Sequence, residues 1–333
     1  MTYKTTLAFS SCWGVLTEYS ILFLLWYTKT DMANSRHCIT GEHVYEGATF
    51  PGIIPAKALD KLKETIFDDL DIIVGGYPKT GTTVLQEIVF LVNTQGDFET
   101  SDKLSILARI PFLEVEVPGR SMLKVALETS PPRLMKSHLP TKFFKETLTK
   151  SACKFVIGMR NPKDMLVSNF HFYRMNDAYN LFKGTWDEYF TIFKDDRLAF
   201  GNFFESVLSW WKIRDKENIL IVKFEDIVEN PHEVIRQVAN HLKKDIPDEL
   251  VKRIADRIAF KNMKNIPTLN YTDAVALHQD ISPFMRKGEI GDWKNYFNDE
   301  QNKLVDDLYQ EHCVKNGLTF QFESRFPLSG KVI

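Results

Sequence analysis

Cysteine is scarce in this chain. Only Cys12, Cys38, Cys153 and Cys313 occur in 333 residues, and no two are close in sequence. That spacing excludes a zinc knuckle and a disulfide framework, and it fits a reducing compartment. Charge of one sign is also missing. Forty-two Lys and Arg stand against 44 Asp and Glu, a net charge of −2. Nothing therefore draws the chain as a whole to nucleic acid, and any anion site must be built locally. Internal repeats and low-complexity tracts are absent. So are long hydrophobic runs. Residues 7–27 are largely apolar but contain Glu18 and several Ser and Thr, whereas a spanning helix needs roughly 20 clean apolar residues. Only Lys4 precedes this run, so the pattern of a signal peptide is incomplete. Residues 1–40 are read as an N-terminal extension, with residues 1–31 expected to lie upstream of a start at Met32. A signal anchor or a membrane-associated extension are the competing readings. Membrane contact is expected only if residues 7–27 are retained.

Aromatic residues, by contrast, are plentiful: 25 Phe, 11 Tyr and 6 Trp. They suit a Phe-rich core or an aromatic-lined pocket. The length allows one α/β domain or two small ones. The most informative stretch is residues 71–92, DIIVGGYPKTGTTVLQEIVFLV. Ile72, Ile73 and Val74 form a short β-branched run, the pattern of a buried strand. Gly75, Gly76, Pro78 and Gly81 break it, and Leu85, Ile88, Val89 and Val92 then recur at helical spacing. A glycine-rich loop entering a helix presents free N–H groups and a positive dipole end, which cradles phosphate. Lys79 sits inside that loop, with the hydroxyls of Thr80, Thr82 and Thr83 around it. The nucleotide P-loop pattern G-x-x-x-x-G-K-[ST] is met only in part. Gly76 and Gly81 have the right spacing, but Thr82 stands where the Lys belongs. The displaced Lys79 points to a transferred group other than phosphoryl, and nothing in the loop requires a metal.

Other stretches carry chemistry as well. Residues 133–138, RLMKSH, read as a strand on which Lys136 and His138 share a face. The carboxyl end of such a strand is where open α/β sheets bind ligands. Residues 154–159 form another apolar strand that ends in Arg160 and is followed by a helix carrying Ser168. Arg160 and Ser168 can converge on one anion, Arg being suited to bidentate phosphate contact. A strand at 219–222 precedes Phe224, Glu225 and Asp226, acids that would mimic a Walker B motif. Residues 284–297, FMRKGEIGDWKNYF, place Arg286, Lys287 and Gly288 together as a second anion candidate.

Taken in order, GYPKTGTT (76–83), RIPFLE (109–114), KSHLP (136–140), RNPKDMLVSNFHFY (160–173), FEDIVENP (224–231) and FMRKGEIGDWKNYF (284–297) resemble the cytosolic sulfotransferases. The resemblance covers residues 41 to 320. It implies a single α/β domain over residues 41–325, with a central parallel sheet flanked by helices and a P-loop-like phosphosulfate loop, followed by a tail at 326–333. It also implies a cytoplasmic enzyme that moves a sulfuryl group from 3′-phosphoadenosine 5′-phosphosulfate (PAPS) to a hydroxyl or amine, without a metal. A sulfate ester carries less negative charge than a phosphate ester, so cations and N–H donors suffice. On the family pattern Lys79, Thr80, Gly81, Thr82 and Thr83 match the phosphosulfate loop, with Lys79 neutralising the bridging oxygen. His138 matches the general base, and Lys136 the residue stabilising charge near the transferred group. Arg160, Ser168, Arg286, Lys287 and Gly288 match the 3′-phosphate clamp. Ser168 counts with Lys79, Lys136 and His138 among the catalytic candidates. Val84, Phe224, Phe260, Met263, Phe284 and Met285 fall on the nucleotide side. Phe112, Phe172, Lys136 and His138 are expected to line the acceptor pocket, which suits phenols, sterols or other apolar alcohols among xenobiotics or hormones.

Departures from the pattern matter. Val84 replaces the Trp that stacks on adenine, Phe224 replaces a Tyr, and Ala259 a Ser. Losing one stacking ring costs on the order of 1 kcal/mol, so PAPS binding is expected to be weakened but retained. The usual dimer motif should begin at Lys294, but Asn298, Asp299 and Lys303 stand at its other positions, so a monomer is expected. Two further readings remain: a nucleotide-binding family member without turnover, and a P-loop kinase. The kinase would need a Lys after Gly81 and a magnesium-binding acid.

Overall fold

The computed structural model describes residues 39–117 and 119–325; the expectations for residues 1–38 and 326–333 lie outside these. Eight short strands occur among the described residues: β1 (His43–Tyr45), β2 (Ala48–Phe50), β3 (Ile72–Gly75), β4 (Glu116–Val117), β5 (Arg120–Ser121), β6 (Leu134–Ser137), β7 (Lys154–Met159) and β8 (Ile219–Lys223). Four of them make the central sheet in the order β6-β3-β7-β8. All its pairings are parallel. Chain order enters at β3, in the middle of the sheet, moves out to β6 and crosses back to β7 on the other side. The sheet therefore switches direction around β3, and its carboxyl edge opens a crevice there.

Both faces of the sheet are covered. Side chains alternate along each strand, and the two sides divide the core between them. Ile73, Met135, Phe155 and Ile157 face an aromatic-rich side containing Phe144, Phe203, Trp210 and Tyr309. Ile72, Val74, Val156 and Val222 face an aliphatic side. That aliphatic side is built by the helices Thr82–Asn93, Pro231–Leu242 and Asp248–Ile258, whose apolar positions recur at helical spacing. The strands expected at 72–74, 133–138, 154–159 and 219–222 each lie within one residue of β3, β6, β7 and β8, and the helical spacing of Leu85, Ile88, Val89 and Val92 falls inside the helix Thr82–Asn93. His138 lies one residue past the end of β6. The apolar stretch 186–211 divides into two helices, Trp186–Lys194 and Phe203–Trp211. The 14-residue helix Asp299–His312 begins with an Asn298–Gln301 capping box. It takes in Asp299 and Lys303, with Asn298 as its cap, which are the positions compared with the dimer motif.

One buried ion cluster ties the aliphatic side together. Glu87 on the helix Thr82–Asn93 accepts from Arg109 Nη2 at 2.9 Å, Arg257 Nε at 2.6 Å and Ser101 Oγ at 2.6 Å. Its side chain and that of Arg109 are almost wholly enclosed. Removing the carboxylate strands buried cations, so Glu87→Ala is expected to lose about 3–5 kcal/mol of unfolding free energy. Denaturant unfolding beside the wild type measures this, and a loss below about 1 kcal/mol, the size of a surface pair, contradicts it.

Candidate active site

The site begins where β3 runs out. Gly76 follows it at φ 137°, and a Cβ there would lie 2.2 Å from Gly158 O of β7. Only glycine fits that passage. Tyr77 is fully buried and donates its hydroxyl to Gly201 O at 2.8 Å, pinning the loop from beneath. Lys79 and Gly81 also take positive φ, 69° and 88°. Gly81 then caps the helix Thr82–Asn93, and no side chain caps it from outside. Its first N–H groups are therefore free of intrahelical partners. Gly81, Thr82, Thr83 and Val84 all border the cavity that this helix end faces.

Thr80 does not. Its hydroxyl and its N–H both turn back to Tyr77 O, at 2.7 and 3.3 Å, and the residue is buried. Lys79 points into the cavity. Its Nζ sits between two rings, 4.4 Å from the centroid of Phe172 and 4.0 Å from that of Phe284. Burial, with Lys136, Arg160 and Arg286 nearby, pulls its pKa down to about 7.

The segment 111–114 lies along β6. Lys136 N donates to Pro111 O and Leu113 N to Lys136 O, both at 2.9 Å. This pairing puts Phe112 beside Lys136, with Nζ 4.0 Å from the ring centroid, and beside His138, edge to face at 5.0 Å. Phe200 closes the other side of the imidazole at 5.6 Å. His138 is buried, and its Nδ1 lies 2.6 Å from Gly76 O. A carbonyl only accepts, so Nδ1 carries the proton and Nε2 keeps its lone pair. Burial, reinforced by Lys136, holds the imidazole pKa well below its ordinary value. The ring is thus a neutral base with a fixed tautomer.

Glu114 escaped the sequence reading except as a letter in a motif. It is fully buried, accepts the backbone N–H of His138 at 2.6 Å, and leaves Oε2 without a hydrogen-bond partner. Burial raises its pKa, and burial lowers that of neighbouring Lys136. An acid inside the apolar run IPFLEV was the available signal. Phe200, at φ 72° between two helices, gave none.

Arg160 follows β7. Its guanidinium lies over the Phe224 ring at 4.2 Å and donates to Glu289 O at 3.2 Å, while its buried Nε has no hydrogen-bond partner. Arg286 and Lys287 both pair with buried Asp292. Asp164 fixes their loop by accepting from Gly291 N at 2.8 Å and Trp293 N at 3.0 Å. Glu225 is committed to Asn161, accepting from its N at 2.8 Å and its Nδ2 at 3.0 Å.

One cavity of about 610 Å³ gathers these residues. Lys79, Gly81, Thr82, Thr83, Val84, Arg160, Ser168, Phe224, Phe260, Met263, Phe284, Met285, Arg286, Lys287 and Gly288 line it together with Phe112, Lys136, His138 and Phe172. Of the residues singled out from sequence, Thr80 alone stands outside. An orphaned guanidinium nitrogen, an uncapped helix end and a cluster of cations in an enclosed space suit a ligand with two separated anionic groups. The cavity also includes Arg120, to which the sequence assigned no contact, and Asp273–Leu277, which belong to the loop at 272–279 expected from sequence to shape the entrance.

Comparison with known proteins agrees with this geometry. The family model of the sulfotransferase domain matches residues 69–317. The dog protein "Sulfotransferase 1B1" is 39% identical over 258 residues, covering 76% of this chain and 86% of its own length. Rat "Sulfotransferase 1C2" is 38% identical over 256 residues, with 76% and 86% covered. Among solved structures, retinol dehydratase in complex with androsterone and the inactive cofactor PAP superposes with a TM-score of 0.74 at 22% identity, covering 85% of this chain and 90% of that one. Mouse sulfotransferase SULT7A1 complexed with PAP gives 0.67 at 25% identity, covering 82% and 95%. With its sheet order, its loop after β3 and a domain match over most of its length, the chain belongs to the sulfotransferase family.

Proposed function

We propose that the chain transfers a sulfuryl group from PAPS to the hydroxyl, or amine, of a small apolar acceptor, with His138 as general base. The observation that carries this reading is the hydrogen bond from His138 Nδ1 to Gly76 O, which leaves Nε2 unprotonated at neutral pH. The acceptor O–H gives its proton to Nε2 as its oxygen bonds to sulfur. The S–O bond to the donor phosphate breaks, and its electron pair stays on the phosphate oxygen. Lys79 stabilises the charge that grows there, and Lys136 the charge on the transferred group. Arg160, Ser168, Arg286 and Lys287 hold the 3′-phosphate. Gly81, Thr82 and Thr83 hold the 5′-phosphosulfate.

At the acceptor end the cavity is bounded by Ile53, Ile54, Val115, Met122, Phe112 and Phe200. This wall suits phenols, sterols or other apolar alcohols, whether xenobiotic or hormonal. Buried, unpaired Cys153 and Cys313 accord with a cytoplasmic setting. No helix among the described residues is long and apolar enough to cross a membrane. We also propose a monomer. Asn298 is spent on capping its own helix, and Lys303 pairs with Asp307.

His138→Ala should lower the rate of labelled sulfuryl transfer by roughly 10²–10⁴-fold while leaving calorimetric binding of adenosine 3′,5′-bisphosphate intact. Equal activity of mutant and wild type across a broad acceptor panel would sink the assignment. The pKa of Lys79 carries its own sign. With its pKa near 7 in the free protein, the amine is largely neutral above that pH. A bound anion favours the ammonium and raises the pKa. Binding must therefore take up a proton above pH 7, and affinity must fall as pH rises. Titration of the bisphosphate in buffers of different ionisation enthalpy reads the uptake directly, and Lys79→Met should abolish most of it. Light scattering is expected to report about 39 kDa, the mass of one 38.6 kDa chain; a stable dimer contradicts the monomer.

A further inference from the structure

The end of the cavity beyond Arg160 has an unusual chemistry. Every side chain that residues 224–263 contribute to its lining is hydrocarbon or thioether, the chief ones being Phe224, Ile227, Ile258, Phe260 and Met263. Val84 borders the same cavity. The hydroxyl of the adjacent Thr83 bonds Tyr271. The backbone at Ala259 is engaged as well: its N–H donates to Ala255 O at 3.1 Å, and its carbonyl accepts from Asn262 and Met263 at 2.9 Å each. The two rings are also held in place. A Cβ on Gly81 would lie 2.6 Å from Phe224, and one on Gly288 2.4 Å from Phe260. Each glycine belongs to one of the two anion-binding loops, so the apolar pocket is pinned to the same backbone that would hold the phosphates.

A nucleotide seated with its anionic groups among Lys79, Arg160, Arg286 and Lys287 must lay its base in this pocket. We propose that the pocket reads the base by burial alone, and that the protein accepts 3′-phosphonucleoside 5′-phosphosulfates without regard to the hydrogen-bonding edge of the purine. The inference rests on the donor reading above. Its physical basis is an asymmetry. A site built to hydrogen-bond a polar group strongly rejects the analogue that lacks it, whereas a hydrocarbon pocket discriminates weakly and in the opposite sense. Burying the 6-amino group of adenine against hydrocarbon leaves its donors unpaired, which is unfavourable. A base without that group should bind at least as well. Specificity then falls to the phosphates, above all to the 3′-phosphate facing Arg160, whose buried Nε awaits a partner.

The test is calorimetric titration of the full chain with the 3′,5′-bisphosphates of adenosine, purine riboside and inosine, and with adenosine 5′-phosphate. Purine riboside bisphosphate should bind as tightly as the adenosine compound or up to about tenfold tighter, and inosine bisphosphate within about tenfold of it. Adenosine 5′-phosphate should bind much more weakly than any of the three. If deleting the 6-amino group weakens binding more than about threefold, a hydrogen bond reads adenine and the proposal falls while the donor reading stands. If no bisphosphate binds, the donor reading falls and takes this inference with it.

Discussion

The single hydrogen bond between Gly76 O and His138 Nδ1 depends on a steric constraint, and most of the site depends on that bond. The chain leaves β3 between its two parallel neighbours and has to turn against β7, where a side chain would strike Gly158 O. Glycine at φ 137° passes, and in doing so aims its carbonyl across to the residue just past β6. The same turn thus opens the anion loop on one side and fixes the tautomer of the base on the other. Glu114 holds the backbone of His138 from beneath, so the imidazole is positioned through both its ring and its amide. The order β6-β3-β7 is what brings these pieces together, since it sets the loop after β3 between the ends of the two strands that carry Lys136 and Arg160.

The second constraint is electrostatic. Lys79, Lys136, Arg160 and Arg286 crowd one enclosed space, and burial, with the other three cations adding to it, lowers the proton affinity of Lys79. Two devices limit the strain. Aromatic faces under Lys79, Lys136 and Arg160 supply cation–π attraction where water is excluded. Asp292 neutralises part of the charge of Arg286 and Lys287. The remaining excess is what an anionic donor relieves, so the affinity of the site for a polyanion shares one of the causes of the depressed proton affinity of Lys79, the larger cause there being burial. His138 is affected too: burial, reinforced by Lys136 and Lys79, keeps its imidazole neutral.

Much of this was legible in the sequence, for physical reasons. Glycines at the spacing of GGYPKTG, β-branched runs and cations just beyond strand ends are local features that report local geometry. They identified all four sheet strands to within one residue and, Arg120 apart, the cations that line the cavity. Features set by the exact geometry of a turn or by distant partners were not legible. Thr80 reads as a phosphate ligand because it lies in the loop, yet the tightness of the turn bends its hydroxyl back to Tyr77 O. Glu114 reads as one letter of a motif, because only the pairing of segment 111–114 with β6 carries it under His138. Phe200 reaches the imidazole from a turn between two helices, and nothing nearby in sequence announces it. The helix Asp299–His312 carries a local signal in its Asn298–Gln301 capping box, but most of its residues are polar or charged, so its apolar periodicity is faint.

Phe224 shows why a departure from a family pattern need not be a loss. Its ring carries no hydroxyl for the nucleotide, yet it supports the Arg160 guanidinium at 4.2 Å and packs so closely on Gly81 that no side chain could enter there. It thereby joins the strand that ends in Arg160 to the loop that holds Lys79. Phe260 does the same for Gly288 on the second anion loop. The apolar residues at this end of the cavity thus position the loops that carry Lys79, Arg286 and Lys287 as well as forming its wall. Val84 removes an aromatic surface from that wall without touching either joint. The joints at Gly81 and Gly288 consequently stay intact, while the cavity wall at residue 84 is aliphatic.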